Sequence, residues 1–141
     1  FNAYGEWTTV LPGNTSSLYI DFETLEEREG FIYWLYMDSW SDGCAKSNAQ
    51  GDCNLKGFKV NKRVNFSMPM GEGEGIENNM VSSWEYYEPN TGYEILLNFL
   101  CQMSKLNPDE QAIRLEAFTK RNEEFERQRN SLNKDSEVEK N

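Results

Sequence analysis

The chain has 141 residues, enough for one domain with a real core. Its 14 basic and 24 acidic side chains leave a net charge of −10, a field that repels phosphate backbones and anionic headgroups and argues against nucleic acid or membrane surfaces as partners. There is no histidine, which removes Ser-His-Asp and Cys-His catalysis, histidine metal sites and histidine pH switching in one step.

In chain order, Glu6-Trp7-Thr8-Thr9-Val10 has strand character and stops at the turn cluster Leu11-Pro12-Gly13-Asn14. Leu18, Ile20 and Phe22 alternate with Ser17, Tyr19 and Asp21, the period of a half-buried strand. Residues 24–30 are acidic and read as one short helical turn. Residues 31–37 are apolar throughout, so both faces of that strand should be covered, one by a helix and the other by a partner. Tyr33, Trp34, Tyr36 and Trp40 are the candidate interaction residues there.

Residues 39–50 are polar, with a modest strand expected in their second half. The clearest strand follows, with Phe58, Val60, Val64 and Phe66 on one face and Lys59, Asn61, Arg63 and Asn65 on the other. Lys62 interrupts the apolar face, as an edge strand or a snorkelling side chain would. Residues 70–79 are glycine-rich and acidic and read as a mobile loop. Gly71-Glu72-Gly73-Glu74-Gly75 lacks the Lys-Ser/Thr of a phosphate loop, and its glutamates would repel phosphate. Residues 84–87 read as a last short strand. Of the tryptophans, Trp7 and Trp84 are expected in the core.

Thr91-Gly92-Tyr93-Glu94 is a capping box that opens a helix over about residues 92–105. Leu97 and Cys101 are four apart and share its buried stripe. Asn107-Pro108 starts another helix, with asparagine as N-cap and proline at the first helical position. Residues 107–141 carry nine acidic and seven basic side chains against fifteen and seven in residues 1–106, so most of the excess negative charge lies in the first part. Phe118, Phe125 and Leu132 recur every seven residues, with Leu115 beside them, while Asn122 and Arg129 interrupt the seam. These four apolar residues are candidate docking positions for another subunit.

Cys44, Cys53 and Cys101 are too few thiolates for a zinc site, and Asp38, Asp42 and Asp52 lack calcium-loop spacing. No catalytic residue, metal or cofactor is expected. Three cysteines suit one disulfide and one thiol; Cys53–Cys101 is preferred, with Cys44–Cys53 as the alternative.

Trp7, then Leu18-Tyr19-Ile20-Asp21 with Leu25, the aromatic strand at 32–36, Gly51-Asp52-Cys53, Met70-Gly71-Glu72-Gly73, Trp84-x-Tyr-x-x-Pro89-Asn90 and Cys101 occur in an order that resembles the surface-adhesin protein E-like family, over about residues 5–103. The resemblance implies a small exported bacterial protein; the expected location is the periplasm or the cell surface, with a signal peptide expected to have been removed. It also implies an antiparallel sheet packed by a C-terminal helix and a Cys53–Cys101 bond. By the same resemblance the partner is an extracellular-matrix or serum protein, such as laminin, vitronectin or plasminogen. The expected whole is an α+β domain at 1–106, with an antiparallel sheet of about five to six strands, and a charged helical extension at 107–141. It is expected to be a non-enzymatic adhesin-like binding module. The alternative is a structural or accessory subunit of a larger envelope or appendage assembly, docked through the C-terminal helix; self-association is a further option.

Overall fold

The computed structural model describes residues 7–11, 15–78 and 82–139; Glu6, residues 12–14 of the expected turn cluster and Asn79 lie outside them. The chain divides into two units, Phe1–Leu106 and Asn107–Asn141, each described by itself.

In the first unit the strands are β1 (Thr8–Leu11), β2 (Ser16–Arg28), β3 (Phe31–Trp40), β4 (Gly43–Asp52), β5 (Gly57–Phe66), β6 (Gly75–Asn78) and β7 (Glu85–Tyr86), followed by helix α1 (Gly92–Met103). Among the described residues they form a 7-stranded sheet in the order β1-β2-β3-β4-β5-β6, with β7 also on β5. Every pairing is antiparallel. The expected α+β class holds, with one short strand more than anticipated.

β3 and β4 pair without interruption from Phe31↔Asp52 to Trp40↔Gly43 and form the centre of the sheet. β4 was only modestly visible in the sequence because its inward positions are small. Ala45, Ser47, Ala49 and Gly51 are all buried, leaving room for the helix side chains above. α1 fills that space with Leu97, Leu100, Cys101 and Met103, all buried. Its N-cap forms as expected: Glu94 N–H donates to Thr91 Oγ1 at 3.3 Å, and the Glu94 carboxylate accepts from Asn90 N–H at 3.4 Å.

Three local expectations are corrected. Residues 24–30 are not a helical turn: β2 continues to Arg28 across an irregularity between Asp21 and Glu26, and Glu29 and Gly30 close the hairpin with positive φ of 52° and 86°. Two successive positive φ values match the right-handed strand twist. Thr24 Oγ1 bridges the irregularity, donating to Asp21 O at 2.6 Å and accepting from Leu35 N–H at 2.9 Å.

β5 does not keep one apolar face. Val60 pairs with Ala49 and Lys62 with Asn48, so Asn61 is an extra residue and the alternation inverts there. Phe58 and Val60 face α1, whereas Lys62, Val64 and Phe66 take the opposite face. Lys62 therefore marks a bulge, and β5 is no edge: β6, Ser82 and β7 all bond along its outer side.

Residues 70–78 of the expected loop are structured as well, and Asn79 lies outside the described residues. Pro69–Gly71 forms a 3-10 turn over the outer face, where Met70 N–H donates to Ser39 Oγ at 3.0 Å and Gly71 N–H to Cys44 Sγ at 2.9 Å. β6 follows. The chain itself thus covers the outer face of β3 at its Met37–Ser39 end, while Phe31, Tyr33 and Leu35 stay half-buried.

The second unit is one helix, α2 (Pro108–Glu139). Asn107 caps it, its Oδ1 accepting from Glu110 N–H at 2.9 Å. Glu116 and Lys120 form an i,i+4 ion pair at 3.1 Å.

Candidate functional site

β3 turns Trp34, Tyr36 and Asp38 toward α1. From the neighbouring strand β2, Leu18 and Ile20 face the same way, and from β5 so does Phe58. Together with Glu85, Tyr87, and Tyr93, Leu96, Leu97 and Leu100 of α1, they enclose a half-open cleft of about 270 Å³. Its walls are largely apolar, and its ionisable carboxylates are Asp38 and Glu85.

Phe58 is the hub of the cleft. Its ring stacks on Trp34 (centroids 6.5 Å, planes 26° apart) and on Tyr87 (5.7 Å, 18°), and Tyr36 leans against it at 6.4 Å. Tyr87 stacks on Tyr93 at 5.7 Å and 16°. The ladder runs from Trp34, 8 % exposed, outward to Tyr93, 56 % exposed. Such ring pairs contribute about 0.5–1.5 kcal/mol each beyond area burial, so the wall is held rigid. Burial raises the Tyr36 and Tyr87 hydroxyls above their ordinary range, and Glu85 adds to the rise at Tyr87. Both hydroxyls stay neutral at physiological pH. Burial also raises the Asp38 carboxyl, opposed by the nearby Arg63 guanidinium.

The disulfide between Cys53 and Cys101 fixes α1 over this end of the sheet, with Cα atoms 6.0 Å apart. Gly51-Asp52 prepares it. A Cβ on Gly51 would lie 2.9 Å from Leu97 Cδ1 and 2.9 Å from Trp34 Cζ3, so glycine lets the helix approach. Asp52 Oδ1 accepts from Asn54 N–H at 2.9 Å and Leu55 N–H at 3.1 Å, turning the chain after the strand. Cys44 is the free thiol, buried on the other face, so the Cys44–Cys53 alternative is set aside.

Of the four aromatic candidates on β3, Trp34 and Tyr36 meet in the cleft. Tyr33 faces the opposite side under the Arg28 guanidinium, 4.0 Å from the ring centroid. Trp40 packs at the strand end against Gly43. Trp7 and Trp84, expected in the core, are only half-buried. Lys46 Nζ lies 5.6 Å from the Trp7 ring, and Lys59 Nζ lies 5.3 Å from the Trp84 ring. On α2, Leu115 and Phe118 are half-buried, while Phe125 and Leu132 are 60 % and 69 % exposed. Ile113, which sequence reasoning passed over, is exposed off that seam.

Phe58, Glu85, Tyr87 and Tyr93 were also missed as site residues. The available signal was the density of aromatics at 84–93, but the faces they take depend on the β5 bulge and the β7 pairing.

Among the described residues no group of three or more Cys, Asp or Glu side chains is placed to hold a metal ion. No helix among them is long and apolar enough to cross a membrane. A six-stranded antiparallel meander with a seventh strand on β5, clamped to one helix by a disulfide, defines a small α+β domain. The family model described as surface-adhesin protein E matches residues 7–102, and the chain belongs to that family. No curated protein and no solved structure gives a significant match.

Proposed function

We propose that the chain is a non-enzymatic, adhesin-like protein-binding module of the bacterial envelope, exported to the periplasm or cell surface, with residues 1–106 as the binding domain and 107–141 as an extension. The open aromatic cleft on a disulfide-clamped scaffold carries this reading. Aromatic anchors in partly desolvated pockets supply much of the energy at protein interfaces, and Trp34, Tyr36, Tyr87 and Tyr93 offer that surface at low entropic cost. Membership in a surface-adhesin family supports a protein ligand of the extracellular-matrix class. The test is capture of the folded chain by immobilised matrix proteins. Saturable binding that weakens with salt is expected; no capture at physiological ionic strength would overturn the reading.

A second reading is a subunit of a larger envelope or appendage assembly, docked through α2. Ile113, Phe125 and Leu132, at 70 %, 60 % and 69 % exposed, favour it. Deleting residues 107–141 should then abolish co-purification of partner subunits, and unchanged co-purification would sink it.

A further inference from the structure

We infer that the aromatic cleft receives a cationic side chain, a lysine or arginine presented by a basic segment of a partner protein. The inference rests on the protein-binding reading above and names the chemistry of what is bound.

Charge is the first argument. The lining holds two carboxylates, Asp38 and Glu85, and no lysine or arginine. Arg63 lies near Asp38 on β5 but outside the lining. The surrounding part of the chain carries fifteen acidic against seven basic side chains, a field that steers a basic segment inward.

Ring geometry is the second. Near-parallel rings offer their negative faces to a cation placed between or above them. The sheet already uses this chemistry on its outer face, where Tyr33, Trp7, Phe66 and Trp84 each meet a cation of the chain itself at 4.0 to 5.6 Å. The cleft rings stack on one another instead, and Tyr93 leaves the end of the ladder open to solvent.

Size is the third. A cleft of 270 Å³ is below the range of about 300–1,000 Å³ that takes drug-sized ligands. It suits one long side chain with an apolar stem and a charged head. The stem would lie along Leu18, Leu96 and Leu100, with the head toward a carboxylate.

The test titrates the full chain with an N-acetylated, C-amidated lysine peptide. The controls are the same peptide with its ε-amines acetylated and an arginine version. Calorimetry gives affinity, and the Trp34 indole N–H and tyrosine ring resonances give location. The expected result is binding with shifts concentrated on Trp34, Tyr87 and Tyr93, weakened roughly tenfold by ε-acetylation. Glu85→Gln and Tyr93→Leu, both at exposed positions, should each weaken it several-fold without unfolding the domain.

Equal affinity for the acetylated peptide would make the cleft merely apolar and overturn the inference. So would shifts spread over the acidic surface that neither variant changes, or no binding at all. The matrix-capture assay separates the two readings. Undiminished capture by both variants would defeat the cleft inference and leave protein binding standing. Lysine-peptide binding at the cleft with no matrix capture would do the reverse.

Discussion

Cys53 lies just past β4 and Cys101 on the buried stripe of α1, and the bond between them closes 48 residues of sequence that include β5, β6 and β7. The same bond holds Tyr93, Leu96, Leu97 and Leu100 over Trp34 and Phe58. Fold and cleft therefore depend on one cross-link.

Replacing both cysteines by serine should cost about 4 kcal/mol of unfolding free energy, because a loop of this length loses most of its closure entropy when the chain is cross-linked. Urea titration of the wild type and the double variant measures the loss. Reductant should lower the wild-type midpoint toward that of the variant and leave the variant unchanged.

Cys44 should be silent in the folded chain. Burial raises its thiol above the ordinary range, opposed by the Gly71 N–H and Lys46. Iodoacetamide at mildly alkaline pH should give no adduct on the native protein. In denaturant without reductant it should give one adduct, and after reduction three. An adduct on the native protein would contradict the burial.

Gly51→Ala should destabilise by about 1–3 kcal/mol through overpacking. The new methyl would meet Leu97, Trp34 and Ile32 at 2.9 to 3.1 Å, between sheet and helix. Thermal unfolding measures the loss. The Trp34 environment should change as well, which a purely local backbone effect would not produce.

Thr24→Val keeps the shape and removes the hydroxyl that bridges Asp21 O and Leu35 N–H. The position is exposed, so water replaces part of the bond and the expected cost is about 1 kcal/mol. Hydrogen exchange at Leu35 should quicken selectively.

Thr24 also shows where the sequence stopped being legible. An acidic run of good helix formers reads locally as a helical turn, but a side-chain bridge and a two-residue turn at Glu29-Gly30 keep it in the sheet. Where one signal set the outcome, as in the Thr91 cap, the apolar β3 run or the Leu97–Cys101 stripe, local reading sufficed. Lys62 broke the apolar alternation of β5, but an edge strand or a snorkelling side chain reads the same way; only pairing with β4 shows that one residue is extra. The cleft inherits that difficulty. Trp34 and Tyr36 could be read from their strand, but Phe58 joins them only because it precedes the bulge. Tyr87 and Tyr93 join only because β7 and α1 close over it.

Asp38→Asn should raise stability and lower affinity for the lysine peptide, opposite signs that a folding defect could not produce. Burial lifts the Asp38 carboxyl above its ordinary value of 3.8, while Arg63, the charged group facing it from β5, pulls the other way. The folded state therefore holds the Asp38 proton at pH values where the unfolded chain has lost it. The Asp38 contribution to stability is then fully present below pH 3.8 and is lost as pH rises through the raised folded value. Wild-type stability minus that of the asparagine variant should fall across that window and be flat above it. Urea midpoints of both proteins at a series of pH values measure the difference. A difference that rises with pH would mean that Arg63 pairing outweighs burial, leaving Asp38 committed within the chain and Glu85 as the carboxylate that meets the partner.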